Sequence, residues 1–305
     1  MNRLNNGGTV YLVGAGPGDP GLLTLRGKEL LEQAEVVIYD GLVNRELLRY
    51  APRSAEVIYG GKHDRTRPVS QEELNALLLA KARAGKRVVR LKGGDPYVFG
   101  RGGEEAEELA AAGIPFEVVP GVSSVHAVPA YAGIPLTHRQ LVSSVTIATG
   151  HEAPRPTAGR AVPSAPVQSG PTPTLAQTPT PNGALGTAGP THAVDWAVLA
   201  KVPGTLVVPM GLGNLENIAA TLTANGRSPE TPIAIVSRGT TGRQRTIVGT
   251  LGTAADLLSR VSVRPPAVTV IGEVVKLREQ LNWFEQRPLF GRRFAVTHRS
   301  DLVRP

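Results

Sequence analysis

The sequence contains no cysteine, and this absence excludes disulfide bonds, thiolate zinc sites and cysteine nucleophiles. Aromatic residues are also scarce, at 4% of 305 residues. The six histidines show no spacing typical of metal ligands. We therefore expect no metal site and interpret the histidines as surface or structural residues.

Long hydrophobic runs are missing as well. No apolar stretch is long enough to span a bilayer, and the first residues, MNRLNNGG, lack the apolar segment of a signal peptide. The expected location is the cytoplasm, by elimination, with no membrane partner. A hydrophobic content of 41% is enough to bury a large core, most simply as two domains.

The chain is basic, with a formal net charge of +8. Basic proteins often bind nucleic acid, but here Lys and Arg are scattered, with no basic tract. A small molecule that carries many negative charges would explain the charge equally well. Composition alone leaves both interpretations open.

Apolar strand-like and amphipathic helix-like segments alternate along the chain, which indicates an α/β fold with helices on both faces of a parallel sheet. The alternation pauses near residue 136, so we predict an N-terminal domain over 8–136 and a C-terminal domain over 137–285. In the second domain, residues 246–248 are predicted to form an antiparallel strand, which makes that sheet mixed.

Two segments do not fit this alternation. Residues from about 152 to 192 are rich in proline and contain no aromatic residue, which is typical of a disordered surface insertion. Residues 286–305 form a tail that resembles the opening strand of uroporphyrinogen-III synthase, and they are too few to form that domain. We assign the tail no activity.

The turn over residues 14–21, GAGPGDPG, follows the first predicted strand, where parallel α/β sheets bind their ligands. Its glycines allow a sharp turn and a close approach to a ligand. However, Asp19 replaces the third glycine of the dinucleotide fingerprint, and Pro17 removes a backbone donor. The turn therefore favours a neutral or cationic nucleoside over a pyrophosphate.

Several blocks of the sequence carry a specific resemblance. In chain order they are VGAGPGDPGLLTLRG, VVIYDGLV, RVVRLKGGDPYVFGRGGEE, VVPGVSSVHAVPAYAGIPLTHR, TLVVPMG and VVKLREQLNWF. Together these blocks resemble the tetrapyrrole methylase family, and within it the enzymes that methylate uroporphyrinogen III. They extend over most of residues 8–285, apart from the insertion.

The resemblance implies two α/β domains with S-adenosylmethionine bound in the cleft between them, in a homodimer. It implies transfer of two methyl groups to pyrrole carbons (C2 and C7) of uroporphyrinogen III, which gives precorrin-2 for sirohaem and cobalamin. Since this substrate carries eight carboxylates, it would explain the basic chain without nucleic acid.

The resemblance also assigns roles to residues. Asp40 matches a proposed proton acceptor and Lys62 a proposed proton donor. The positions implied to contact the cofactor are Pro17, Gly93, Gly94, Asp95, Val98, Ser123, Ser124, Met210 and Gly239. Ser123 and Ser124 depart from the Thr-Ala pair that is common in the family. Four arginines in or beside motif turns are candidate clamps for substrate carboxylates, namely Arg26, Arg101, Arg139 and Arg238.

Other interpretations remain open from the residues alone. Asp40 could be a solvated acid at a strand end, or the ribose ligand of a nicotinamide- or flavin-dependent oxidoreductase. Met210 could fill a core, and Lys62 could be an ordinary solvated lysine. A later methylase of the corrin pathway, or a non-catalytic nucleic-acid-binding protein, would be further alternatives.

Overall fold

The computed structural model describes residues 8–63, 67–68, 70–151, 194–260 and 263–292, with only the backbone at 62, 63, 67, 68 and 260. Two five-stranded sheets organise this part of the chain. The predicted insertion over 152–192 lies outside the described residues, as does the predicted tail from residue 293 onward.

The first sheet is entirely parallel, with strand order β3-β2-β6-β1-β7. Its strands are β1 (Thr9–Gly14), β2 (Val36–Tyr39), β3 (Glu56–Tyr59), β6 (Arg87–Lys92) and β7 (Phe116–Val119). A separate hairpin pairs β4 (Lys62–His63) with β5 (Arg67–Pro68). Because all five strands of the sheet run the same way, their carboxyl ends lie along one edge. The predicted parallel α/β arrangement is confirmed.

Helices cover both faces of this sheet, as predicted. They are α1 (Leu25–Glu32), α2 (Gln71–Arg83) and α3 (Gly102–Ala111), with 3-10 turns at Pro20–Leu22 and Arg45–Tyr50. Thr24 is the N-cap of α1, and its side chain accepts a hydrogen bond from the Gly27 backbone N–H. Helix α2 begins with a capping box between Ser70 and Glu73.

Not every leucine of α1 faces the sheet. Leu30 and Leu31 are buried against the sheet, but Leu25 is 81% exposed. At roughly 100° per residue, Leu25 lies about 140° around the helix from Leu30 and about 120° from Leu31. The helical periodicity therefore places Leu25 on the solvent side, despite its apolar side chain.

The second sheet is mixed, with strand order β11-β10-β12-β9-β8. Its strands are β8 (Val145–Ile147), β9 (Thr205–Pro209), β10 (Pro232–Ser237), β11 (Arg245–Thr250) and β12 (Ala267–Ile271). The predicted antiparallel strand over 246–248 is confirmed by the pairing of β11 with β10. Both β9 and β10 run antiparallel to β12, so their carboxyl ends lie at the same edge of the sheet.

Further helices flank the second sheet, namely α5 (Trp196–Lys201), α6 (Leu215–Ala224), α7 (Ala254–Arg260) and α8 (Arg278–Leu281), with 3-10 turns at Leu212–Asn214, Leu251–Thr253 and Glu273–Leu277. The core on one face includes Trp196 of α5 and Leu222 of α6. Asp195 caps α5 by accepting a hydrogen bond from the Val198 backbone N–H. In the described residues, no helix combines the length and the apolarity needed to cross a bilayer.

Helix α4 (Ser124–Tyr131) links the two halves. It follows the last strand of the first sheet, but its buried residues Val125 and Val128 pack against Val236 and Val268 of the second sheet. By packing, α4 therefore belongs to the second core, although it precedes the predicted boundary at residue 136. A short apolar helix does not reveal from its sequence which of two sheets it covers.

Three glycine backbones pack closely at the carboxyl edge of the first sheet. A Cβ on Gly121 would lie 2.3 Å from the Gly94 carbonyl oxygen and 2.7 Å from the Gly14 Cα. We predict that Gly121→Ala lowers the free energy of unfolding by about 2–3 kcal/mol, because the backbones must separate to admit a methyl group. Urea denaturation followed by circular dichroism measures this change.

The matched control for this substitution is Gly103→Ala in α3, where an added Cβ meets nothing within 4 Å. This variant should be as stable as the unmodified protein, or more stable by up to about 1 kcal/mol, because alanine favours helix. Equal effects of the two substitutions would contradict the packing argument.

Candidate active site

The loops after β1 and β6 meet at the carboxyl edge of the first sheet. Gly16 and Gly94 form an isolated antiparallel bridge, with N–O distances of 3.2 Å and 2.8 Å. Both have positive φ, +77° and +68°, which glycine adopts without steric cost. The sequence thus brings its two glycine-rich turns into direct contact, and Pro17 lies half-buried beside the bridge.

There is open space above this bridge. A Cβ on Gly94 would meet nothing closer than 3.8 Å, whereas one on Gly93 would approach Leu42 to 2.9 Å. Leu42 is 66% exposed. This combination of bare backbone and an exposed apolar side chain suits the flat, partly apolar base and sugar of a nucleoside, so the residues present fit S-adenosylmethionine.

Asp95 has a local structural role in this geometry. One carboxylate oxygen accepts a hydrogen bond from the Tyr97 backbone N–H at 2.8 Å, and the other accepts one from Gly121 at 2.9 Å. These bonds tie the loop after β6 to the loop after β7. Val98, one of the predicted cofactor contacts, follows in this loop and is 38% exposed.

The two serines begin α4. Ser123 is buried at the N-cap, and its hydroxyl accepts a hydrogen bond from the Val125 backbone N–H at 3.5 Å. Ser124 is half-buried, and its backbone nitrogen is the atom nearest to a Cβ added at Gly94. Both predicted cofactor contacts therefore border the open space above Gly94.

The second sheet contributes the loops after β9 and β10. Met210 is 51% exposed, so the alternative that it fills a core is wrong. Gly239 is buried, and a Cβ there would lie 2.5 Å from Val128 of α4. Packing against α4 is therefore sufficient to explain this glycine, and its predicted contact with the cofactor remains a prediction.

Backbone strain is concentrated in these loops. Among the described residues, the non-glycine positions with positive φ are Phe99, Arg101, Met210, Arg238 and Thr240. All lie just after β6, β9 or β10. Left-handed conformations of such residues are held only where the surrounding structure enforces them, and they cluster at functional sites.

The two halves are joined at the turn that follows β1. The Asp19 backbone N–H donates to the Thr240 hydroxyl at 3.1 Å, and the Tyr131 hydroxyl donates to the Asp19 carboxylate at 2.9 Å. The other carboxylate oxygen of Asp19 accepts from the Gly21 N–H at 2.8 Å. Asp19 thus joins the two halves, and the preference of this turn for a neutral or cationic nucleoside remains a prediction.

This junction extends to the C-terminal segment. The Gln244 side chain accepts a hydrogen bond from the Thr240 backbone N–H at 2.8 Å and donates to Glu285 at 2.8 Å. The Trp283 indole donates to the Ala130 carbonyl at 3.0 Å, and Phe290, in the described part of the tail, packs against Phe284. Residues near the C-terminus therefore stabilise the loop that faces Asp19.

Asp40 lies at the carboxyl end of β2. Its side chain is 28% exposed and forms an ion pair with Arg90, with an Oδ1–Nη2 distance of 2.6 Å. The buried Arg90 also contacts Glu105 of α3, which in turn binds Lys92. Burial, followed by the nearby Arg90 charge, lowers the pKa of Lys92.

This buried charged cluster was missed by sequence reasoning. Its signal is visible in the strand RVVRLK, where Arg90 and Lys92 share one face of the part that is otherwise apolar, after the exposed Arg87. The predicted proton donor Lys62 lies in β4, and its side chain is outside the described residues. The proposed roles of Asp40 and Lys62 remain predictions.

The four arginines that are candidates for binding substrate carboxylates differ in whether they already bind a carboxylate of the protein. Arg26 donates two hydrogen bonds of 2.8 Å to the Glu117 carboxylate. Arg101 donates hydrogen bonds of 2.9 Å and 2.6 Å to the Glu104 carboxylate. A substrate carboxylate would have to displace these partners. In the described residues no ion pair involves Arg139, which is exposed, or Arg238, which is half-buried beside Gly239. These two are the stronger candidates.

The described residues contain no cluster of three or more histidine, aspartate or glutamate side chains arranged to hold a metal ion. A family model described as Tetrapyrrole (Corrin/Porphyrin) Methylases matches residues 9–255. The chain belongs to the tetrapyrrole methylase family. The resemblance drawn from the motif blocks is confirmed, and so is the expected fold.

Curated relatives in this family are similar over most of the chain. The S-adenosyl-L-methionine-dependent uroporphyrinogen III methyltransferase of Methanosarcina barkeri is 47% identical over 282 residues, which is 92% of this chain and 97% of that protein. The siroheme synthase of Acinetobacter baylyi is 47% identical over 276 residues, 90% of this chain and 53% of that protein. The chain thus spans about half the length of the siroheme synthases it matches.

A solved structure supports the same family and fold. The uroporphyrin-III C-methyl transferase of Thermus thermophilus, complexed with S-adenyl homocysteine, is 41% identical with a TM-score of 0.66. The alignment covers 88% of this chain and 100% of that chain.

The junction at Asp19 can be tested through Tyr131. Burial and the hydrogen bond to Asp19 raise the pKa of Tyr131 from its ordinary value of 10.0 to about 12. Below pH 10 the hydroxyl is protonated in both states, and its bond should contribute about 1 kcal/mol. As the pH rises from 10 to 12, the unfolded chain loses the tyrosine proton first, so this contribution falls. Tyr131→Phe should therefore be less stable than the unmodified protein at pH 8, with a difference that narrows towards pH 12.

Urea denaturation at a series of pH values measures this difference. The matched control is Tyr97→Phe, since Tyr97 is 54% exposed, and its stability should follow that of the unmodified protein throughout. A Tyr131→Phe deficit that stays constant up to pH 12 would contradict the proposed junction.

Proposed function

We propose that this protein transfers methyl groups from S-adenosylmethionine to two pyrrole carbons of uroporphyrinogen III, C2 and C7, and so produces precorrin-2 for sirohaem and cobalamin. The observation that carries the proposal is the 47% identity to the Methanosarcina barkeri methyltransferase over nearly the whole of both chains. The open glycine bridge between the loops after β1 and β6 supports it, because it suits a nucleoside.

When bound, S-adenosylmethionine supplies a methyl group that its sulfonium already activates. The chain therefore has to hold the two reactants in line, and such positioning can lower a barrier by several kcal/mol. Gly94 and its neighbour Gly93 would receive the nucleoside on the first sheet. Met210 would contact it from the second sheet, where its thioether is exposed.

Asp40 would accept the proton that the methylated pyrrole must lose. A positioned carboxylate suits this role, and Asp40 combines partial exposure with an ion pair that fixes its orientation. Lys62 would act as the proton donor, because it matches the position proposed for that role in the family. Binding of the eight substrate carboxylates would fall first to Arg139 and Arg238, and to Arg26 and Arg101 only after exchange of their glutamate partners.

The homodimer and the cytoplasmic location that we expect from the sequence are part of the proposal. So is the absence of nucleic-acid and membrane partners. The net charge of +8 is accounted for by an octa-anionic substrate. The sirohaem-forming steps of the longer relatives are not assigned to this chain.

The proposed reaction predicts a mass change. Incubation with S-adenosylmethionine and uroporphyrinogen III should yield a product that carries two added methyl groups, detected by mass spectrometry. A product from a later corrin intermediate alone would indicate another methylase of the pathway. Binding of NAD without binding of S-adenosylmethionine would revive the oxidoreductase alternative, and DNA retention without methyl transfer would favour a nucleic-acid-binding protein.

The two available arginines predict a second result. Arg139→Gln and Arg238→Gln should each raise KM for uroporphyrinogen III by about tenfold, since a lost charged hydrogen bond costs roughly 1.5 kcal/mol. The Kd for S-adenosylhomocysteine, measured by calorimetry, should not change. Arg83→Gln, at the exposed C-terminal end of α2, is the matched control and should leave KM unchanged. Unchanged KM in both Arg139 and Arg238 variants would remove them as clamps.

A further inference from the structure

A cluster of four charged side chains lies beneath the carboxyl edge of the first sheet, and the proposed reaction uses only one of them. The cluster consists of Asp40, Arg90, Lys92 and Glu105. The side chains of Arg90, Lys92 and Glu105 are 3%, 2% and 0% exposed, whereas that of Asp40 is 28% exposed. Asp40 is therefore the member of the cluster that reaches solvent.

Arg90 is bound on three sides. Its Nη2 lies 2.6 Å from Asp40 Oδ1 and its Nε lies 3.2 Å from Glu105 Oε1. Its Nη1 lies 3.5 Å from the carbonyl oxygen of Ile38 and 3.5 Å from that of Leu91. These two contacts are longer than the ion pairs. Since Ile38 belongs to β2, the guanidinium bridges the strand that ends at Asp40 and the helix α3 that covers the sheet.

Stability alone does not explain this arginine. Transfer of a guanidinium into the core costs several kcal/mol, and replacement of buried ion pairs by apolar side chains is often neutral or stabilising. Glu105 does not require Arg90 as a counter-ion, because Lys92 binds the same carboxylate oxygen at a shorter distance of 2.7 Å. Among the ion pairs of this cluster, the one to Asp40 is made by Arg90 alone.

The planar guanidinium suits this task. Its N–H donors have a fixed geometry, so anchoring one nitrogen on Glu105 fixes the direction in which the others point. Lysine, with a point charge on a flexible stem, cannot fix two partners in this way. The rotamer of Asp40, which would otherwise be free at a strand end, is thereby restricted.

We propose that Arg90, anchored by Glu105, is a positioning residue that holds the Asp40 carboxylate in the orientation required for proton acceptance. This inference rests on the catalytic role given to Asp40 under the proposed function. Arg90 acts through Asp40 and does not itself contact the substrate. Its loss therefore affects turnover and leaves substrate and cofactor binding unchanged.

A double-mutant cycle tests the proposal. Asp40→Ala should lower kcat by about 10²- to 10⁴-fold, the usual contribution of a general base. Arg90→Met should lower kcat by roughly 10- to 100-fold, because a misplaced catalytic group costs up to about that factor. In the Asp40→Ala background, Arg90→Met should change kcat by less than about twofold, since no carboxylate remains to be positioned. Transfer of a labelled methyl group is sensitive enough to measure the slow variants.

The control and the binding measurements separate positioning from a structural role. Arg87→Met alters the other end of the same strand, where the Arg87 side chain is exposed and bonds Gln33, and it should leave kcat unchanged. For Arg90→Met, KM for uroporphyrinogen III and the Kd for S-adenosylhomocysteine should stay within about twofold of the unmodified values, as expected for an effect confined to proton transfer.

The outcomes distinguish failure of the catalytic role of Asp40 from failure of the positioning role of Arg90. If Asp40→Ala leaves kcat unchanged, the role of Asp40 under the proposed function is wrong. If Asp40→Ala lowers kcat but Arg90→Met has an equal effect in both backgrounds, the positioning proposal is overturned and Arg90 is structural. If Arg90→Met does not fold, Arg90→Lys replaces it in the same cycle, because it keeps a positive charge opposite Glu105 but cannot bond both carboxylates.

Discussion

The structure depends on the close approach of three glycine backbones, Gly14, Gly94 and Gly121, at the carboxyl edge of the first sheet. Side chains at these positions would push apart the loops after β1, β6 and β7. Because the loops touch through their backbones, the peptide groups of Gly16 and Gly94 can bond each other and leave bare backbone facing outward. A ligand can then rest on main chain whose position is fixed by the sheet. The site therefore follows from the packing of strand ends and needs little support from ligand-specific side chains.

The second constraint is the junction between the halves. Asp19 contacts both Thr240 and Tyr131, which lie in the second-sheet loop and in α4. Since α4 packs into the second core while it directly follows the first sheet, the chain crosses between the halves beside the glycine bridge. Thr240, which has a positive φ, lies in the loop that reaches this crossing. The two halves are thus held by the polar contacts of Asp19 together with the apolar packing of α4.

Local features were predictable from the sequence because their causes are local. The caps at Thr24 and Ser70 depend on residues three positions away, and the strands follow from short apolar runs. The glycine turns lie at the carboxyl edge of the first sheet, where the sequence predicts the site. The engagement of Asp19 and the packing of α4 could not be predicted, because both depend on partners that are distant in sequence. Leu25 shows that even a local apolar pattern fails when helical phase is ignored.

The cluster around Arg90 illustrates the same limit for function. Arg90 and Lys92 stand out in an apolar strand, so their sequence indicates that they are paired. It does not indicate with which carboxylate, because Glu105 lies on a helix and Asp40 on another strand. Only the fold shows that Arg90 and Lys92 share Glu105, and that Arg90 also reaches Asp40. A buried ion pair is weak evidence for stability. Asp40 reaches solvent at the edge where we place the candidate site. Orientation of the Asp40 carboxylate therefore explains the buried charge of Arg90 better than stability does.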